Sequence, residues 1–210
     1  YVDTDFRRIM KAVLENAGRW RSAYHPARLE MFSALQDHPS PSLRDLSIRE
    51  LDKAPYALLR RIDLRITPEA LLSSLWSRHG YPFQSIRVLL LGLTHSAKAR
   101  TAIRAFIDRV VDWDEARNLG AFATALVELD RGDGVARLEG TILADRSQPL
   151  QKVEQVIEAL TIHNGVGSLK LRKAIAAVLG RLVQARPETA ALVARQFAAR
   201  SDWSQASWLK

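Results

Sequence analysis

Five histidines stand at positions 25, 38, 79, 95 and 163, and no two lie three or four residues apart. That spacing is what one helix face needs to present a pair of imidazoles to a metal ion. His79, His95 and His163 fall where helical patterns end, so their expected work is capping and interaction with the helix dipole. Carboxylates gather at Asp108, Asp112, Asp114 and Glu115, with Glu128 and Asp130 further on. Paired acids perform acid–base or glycosidic chemistry from opposite walls of a cleft. These acids are instead expected at helix starts, where negative charge offsets the dipole. No Gly-x-Ser-x-Gly elbow and no cysteine is present, which leaves hydrolase serines and thiolate chemistry without support. The residues therefore assign no catalytic group, no metal ligand and no cofactor.

The segment His163-Asn164-Gly165-Val166-Gly167-Ser168 reads as a glycine-bearing loop ahead of a helix carrying Lys170, Arg172 and Lys173. Free amides at a helix start attract anions. The Gly-Lys-Ser/Thr ending of a nucleotide loop is missing, so the expected role is a surface that touches a phosphate or an acidic partner. From Lys170 to Arg186 there are five basic residues and no acid. Trp20, Trp76, Trp113, Trp203 and Trp208 are expected mainly in core or cap packing. Trp113, just inside a helix start, is the tryptophan expected on the surface, and aromatics interleaved with arginines are what a single-stranded nucleic-acid surface or a damaged-base reader would use.

Such groups must be positioned by helices. No alternating valine, isoleucine and aromatic run is bounded by hairpin turns, whereas Phe6, Ile9, Met10, Val13 and Leu14 recur at helical spacing. Starts are marked at Pro26, Ser40-Pro41, Pro55, Thr67-Pro68-Glu69, Pro82, Asp112 to Glu115, Asp133, Pro149, Ser168 and Pro187. The expected fold is all-α, with about twelve helices of roughly 8 to 17 residues. The 210 residues carry a net charge of +8, with 24 arginines against 7 lysines, and the excess is spread along the chain with no basic tail. No apolar run is long enough to span a membrane. The start at Tyr1 suggests a mature portion or an excised domain, and cytoplasm and periplasm are both compatible with the absence of cysteine.

Two stretches repeat. Arg100-Thr101-Ala102-Ile103-Arg104-Ala105 aligns with Arg172-Lys173-Ala174-Ile175-Ala176-Ala177, and nine positions after each leading arginine come Arg109-Val110-Val111 and Arg181-Leu182-Val183. The offset is 72 residues, two units of about thirty-six. A weaker copy is Ser42-Leu43-Arg44-Asp45-Leu46. In this phrase, an apolar-Arg pair followed by small residues, the chain resembles HEAT-like helical repeats of bacterial type. The match is best over 166 to 186, fair over 97 to 111 and 37 to 53, and loose over 113 to 163. The resemblance implies one α-solenoid of about six stacked hairpins, drawn at 4–36, 40–66, 67–95, 97–129, 133–163 and 168–200, with a terminal cap at 201–210. Each hairpin would bury its apolar stripe only against its neighbours.

The expected function is a non-enzymatic scaffold that binds a protein or peptide partner on a concave face. The candidate surface comprises Arg44, Arg100, Arg172, Lys173, Lys170 and Trp113. Arginines at these positions also serve to bond a neighbouring repeat. One alternative is a nucleic-acid-binding protein similar to the HEAT-like DNA glycosylases, with no catalytic residue carried over. Another is the repeat portion of a larger bacterial extracytoplasmic protein.

Overall fold

Helix starts follow the proline and serine signals closely. A computed structural model of the chain describes residues 4–20, 25–78, 80–113 and 116–202, and these hold thirteen α-helices and no strand. Pro26, Pro41 and Pro68 each take a first helical position, where the missing N–H costs nothing. Thr67 Oγ1 accepts from Ala70 N, Ser96 Oγ from Ala99 N and Ser168 Oγ from Leu171 N. The chain divides into two units, residues 1–90 and 91–210.

The first unit contains α1 (Thr4–Glu15), α2 (Ala17–Trp20), α3 (Pro26–Ser33), α4 (Pro41–Asp52), α5 (Tyr56–Leu59), α6 (Pro68–Leu75), a 3₁₀ turn (Tyr81–Phe83) and most of α7 (Gln84–Leu93). Two of these helices, α2 and α5, have only four residues, shorter than the pattern predicts. The α1 stripe splits along its length: Ile9 joins Phe32, Leu35 and Leu43 in a core cluster edged by Val13, while Phe6, Met10 and Leu14 stay exposed.

The second unit contains the end of α7, then α8 (Ala97–Val110), α9 (Leu119–Asp130), α10 (Gly132–Leu138) running into a π-helical turn (Glu139–Leu143), α11 (Leu150–Val166), α12 (Leu169–Ala185), a 3₁₀ turn (Pro187–Thr189) and α13 (Ala190–Ala198). Helix α9 is the centre. Phe122 through Leu129 are all buried, as befits a helix apolar on every side, and α9 packs against α8, α10 and α11. Helix α11 packs in turn on α12 and α13. Phe122 stacks on Phe106 of α8 with ring centroids 3.5 Å apart. A side chain on Gly92 would lie 2.8 Å from the Ala125 Cβ, so glycine lets the two backbones approach.

Several expected boundaries move. Asp114 and Glu115 lie outside the described residues, as does His79, and α9 begins at Leu119 behind Asn118, whose φ is +60°. Gly132 rather than Asp133 opens α10. The loop expected at residues 164–168 shrinks to Gly167 and Ser168, because α11 continues through Val166. Buried Asn164, donating to Asp202 Oδ2 at 2.8 Å, holds that last turn in place. Trp203 and Trp208, and with them most of the expected terminal cap, lie outside the described residues.

Candidate functional site

Arg44, Arg100 and Arg172 occupy one helical register. Each is the fourth residue after a serine at the helix start, and each backbone N–H donates to the carbonyl of that serine, Ser40, Ser96 or Ser168, at 3.2, 3.1 and 2.9 Å. The residue before each arginine, Leu43, Ala99 or Leu171, is buried. The similarity between α8 and α12 extends to their cores: Ala99, Ile103, Phe106, Ile107 and Val110 are buried on one, Leu171, Ile175, Val178, Leu179 and Leu182 on the other, always 72 residues on.

The three guanidinium groups then diverge. Arg44 Nη1 donates to His38 O at 2.6 Å and Pro39 O at 2.9 Å, and Arg172 Nε to Gly167 O at 2.9 Å, so both bond the chain just ahead of their own helix. Arg100 Nε donates to Asp130 Oδ1 at 2.8 Å and its Nη2 to Leu129 O at 3.2 Å, bonding the end of α9. Lys170 and Lys173 are exposed beside Arg172, and among the described residues none of the three is paired with a carboxylate. Leu169, immediately before them, is 67% exposed. Trp113 is half-exposed and meets Phe106 edge-on at 5.7 Å. Trp76, expected in core or cap packing, is 58% exposed because it follows the last turn of α6.

Glu128 and Asp130 are not at a helix start. They occupy the last turn of α9, where the dipole opposes negative charge, and cations hold them there. Asp130 takes Arg100 and, at 2.6 Å, Arg104 Nε. Buried Glu128 is 2.8 Å from Arg131 Nη2, 3.9 Å from His95 Nε2 and 4.0 Å from His163 Nδ1. His163 is wholly buried, and its Nε2 is 2.8 Å from Thr124 O. Two histidines 68 residues apart, His95 after α7 and His163 within α11, thus converge on one carboxylate, a convergence that separate helix-end reading could not show. His95 and Arg131 both have positive φ, at 51° and 55°. Among the described residues no group of three His, Asp or Glu side chains is arranged to hold a metal.

Lys152 was not singled out by sequence. It is 2% exposed and its Nζ donates to Val110 O at 2.9 Å, Val111 O at 3.3 Å and Gln148 Oε1 at 3.1 Å. It therefore satisfies carbonyls at the end of α8 from the first turn of α11. Its one sequence signal is its place four residues before Val156, on the buried stripe.

The first unit has a cleft of about 610 Å³, lined among others by Arg44, Asp45, Ile66, Leu71, Ser74 and Arg87. Arg87, on α7, is only 9% exposed; its Nη1 donates to Ser74 Oγ at 2.9 Å, while its Nε meets no acceptor. Burial pushes this guanidinium below its ordinary pKa, Asp45 acting against the shift and Arg44 adding to it. Gly80 belongs to the same wall, where a Cβ would lie 1.9 Å from Ser74 O.

Among the described residues no helix is long and apolar enough to cross a membrane. Set against protein-family models, curated proteins and solved structures, the chain matches none.

Proposed function

We propose that the chain is a non-enzymatic helical-repeat scaffold of HEAT-like build that binds an acidic protein or peptide segment, with the start of α12 as the contact. The observation that carries this reading is the uncompensated Lys170, Arg172 and Lys173 cluster beside exposed Leu169. Cations in a first turn oppose the helix dipole, at a cost of roughly 0.3–1 kcal/mol each. Helix α12 has no first-turn acid to offset them. Elsewhere in the second unit Arg100, Arg104, Arg137, Arg181 and Arg195 each find a carboxylate. Exposed lysines with no carboxylate partner among the described residues, beside an arginine bonded only to a backbone carbonyl, are suited to an outside anion.

The repeat reading is supported by the 72-residue match in buried positions. Contacts also run α9 to α11 to α13 along one row, with α8, α10 and α12 set against that row. This alternation is what stacked hairpins require.

The test is fluorescence anisotropy with labelled poly-L-glutamate and labelled duplex DNA, each across a salt series. Peptide binding lost in the double variant Lys170→Glu, Lys173→Glu, with helicity unchanged, supports the proposal. Steeply salt-dependent DNA binding without peptide binding would replace it with the nucleic-acid reading.

A further inference from the structure

The buried guanidinium of Arg87 has no carboxylate partner among the described residues, yet it lines an open cleft. A buried cation with an Nε–H that meets no acceptor is costly to keep, and a bound anion would offset that cost. Among the described residues it makes one hydrogen bond, to a serine hydroxyl whose single proton is shared between Ala70 O and Leu71 O.

The rest of the lining narrows the ligand. Asp37 and Asp45 are exposed and balance the two arginines, so the walls carry no net charge. A polyanion such as a nucleotide would be repelled by these two carboxylates, whereas a molecule with one negative and one positive end finds an opposite charge for each. Ile66 and Leu71 add apolar wall, and the volume falls within the range of small-ligand pockets, roughly 300–1,000 Å³. We infer that this cleft binds a small zwitterionic carboxylate of amino-acid to dipeptide size. Its carboxylate is held by Arg87, its ammonium group by the acids Asp37 and Asp45, and its apolar side chain lies against Ile66 and Leu71.

Glycyl-L-leucine is the probe, titrated into the full chain by calorimetry while the Arg87 Nε–H resonance is followed by NMR. The expected result is saturable binding that shifts this resonance. Glycyl-L-leucinamide, without the carboxylate, should not bind, and N-acetylglycyl-L-leucine, without the ammonium group, should bind more weakly. Arg87→Met, which keeps much of the side-chain volume, should weaken the dipeptide about tenfold or more, the loss expected for a charge-assisted hydrogen bond. If that variant does not fold, Asp45→Asn serves instead: it should weaken glycyl-L-leucine and leave the N-acetyl derivative unchanged. Absence of any Arg87 shift at saturating dipeptide, equal binding of the leucinamide, or tighter binding of inorganic phosphate would each overturn the assignment.

Discussion

The two units use charge differently. In the second, carboxylates are matched to cations across helix boundaries: Asp130 of α9 to Arg100 and Arg104 of α8, Asp108 of α8 to Arg137 of α10, and Glu154 of α11 to Arg195 of α13. In the first, Arg8 with Asp5, Lys11 with Glu15, and Lys53 with Glu50 pair within one turn of chain, while Arg28 with Glu50 and His38 with Asp5 are longer-range pairs. Buried Arg87 is left with a hydroxyl. The same helical register illustrates the contrast, since Arg100 clips α8 to α9 whereas Arg44 borders a cleft. The lesson is that an arginine's contribution to stability or to binding is set by what the neighbouring helix offers it.

The sharpest way to break this comparison is to empty the second unit's centre. Phe122→Ala removes a fully buried ring stacked on Phe106 and should cost about 3–5 kcal/mol. Urea unfolding should show that loss as a lowered midpoint. Next in size, Asp130→Asn leaves Arg100 and Arg104 facing a neutral group whose site is nearly closed to water. A loss of about 2 kcal/mol in the same assay is expected. A loss below about 0.5 kcal/mol, the level of a surface pair, would mean the clips across helices are ornamental.

Within the second unit, two glycines separate close packing from an open helix face. Gly92→Ala forces a Cβ to within 2.8 Å of the Ala125 Cβ and should destabilise by about 1–3 kcal/mol. Gly180→Ala, on the open side of α12 with nothing within 4 Å, should stabilise by about 0.4–1 kcal/mol. Thermal unfolding of the two variants should move in opposite directions.

The smallest effect compares one carboxylate in each unit. His38, bonded to Asp5, holds the Asp5 carboxyl below its ordinary value. Ser147 and Gln148 hold Asp145 down to about 2. Both depressed groups stabilise the fold above the unfolded-state value of 3.8, and the contribution is lost as pH falls through the folded-state value. Carboxyl NMR titration of His38→Phe should return Asp5 toward 3.8 and leave Asp145 near 2. Movement of both would show that the donors to Asp145 are not local.

Much of the helical plan is readable from residue order. Prolines and serines at helix starts act through their own backbone or through a partner two or three residues away, so Pro41, Pro68 and Ser168 mark their helices without outside help. The register shared by α8 and α12 is legible for the same reason, since burial at helical spacing recurs 72 residues on. Asn164-Gly165 misleads because its turn-forming preference is weaker than the tertiary bond from Asn164 to Asp202. The α1 stripe misleads because periodicity gives a face but not the width its neighbours will cover.

All-helical character, helix starts and the matched arginine register follow from short-range sterics, capping and periodicity, which need only adjacent residues. The pairing of Asp130 with two arginines, the meeting of His95 and His163 at Glu128, the carbonyl cage around Lys152 and the solitary Arg87 depend on groups 13 to 68 residues apart. Packing alone brings such groups within a few ångströms, because an ionic or polar contact is chosen by the helix lying opposite.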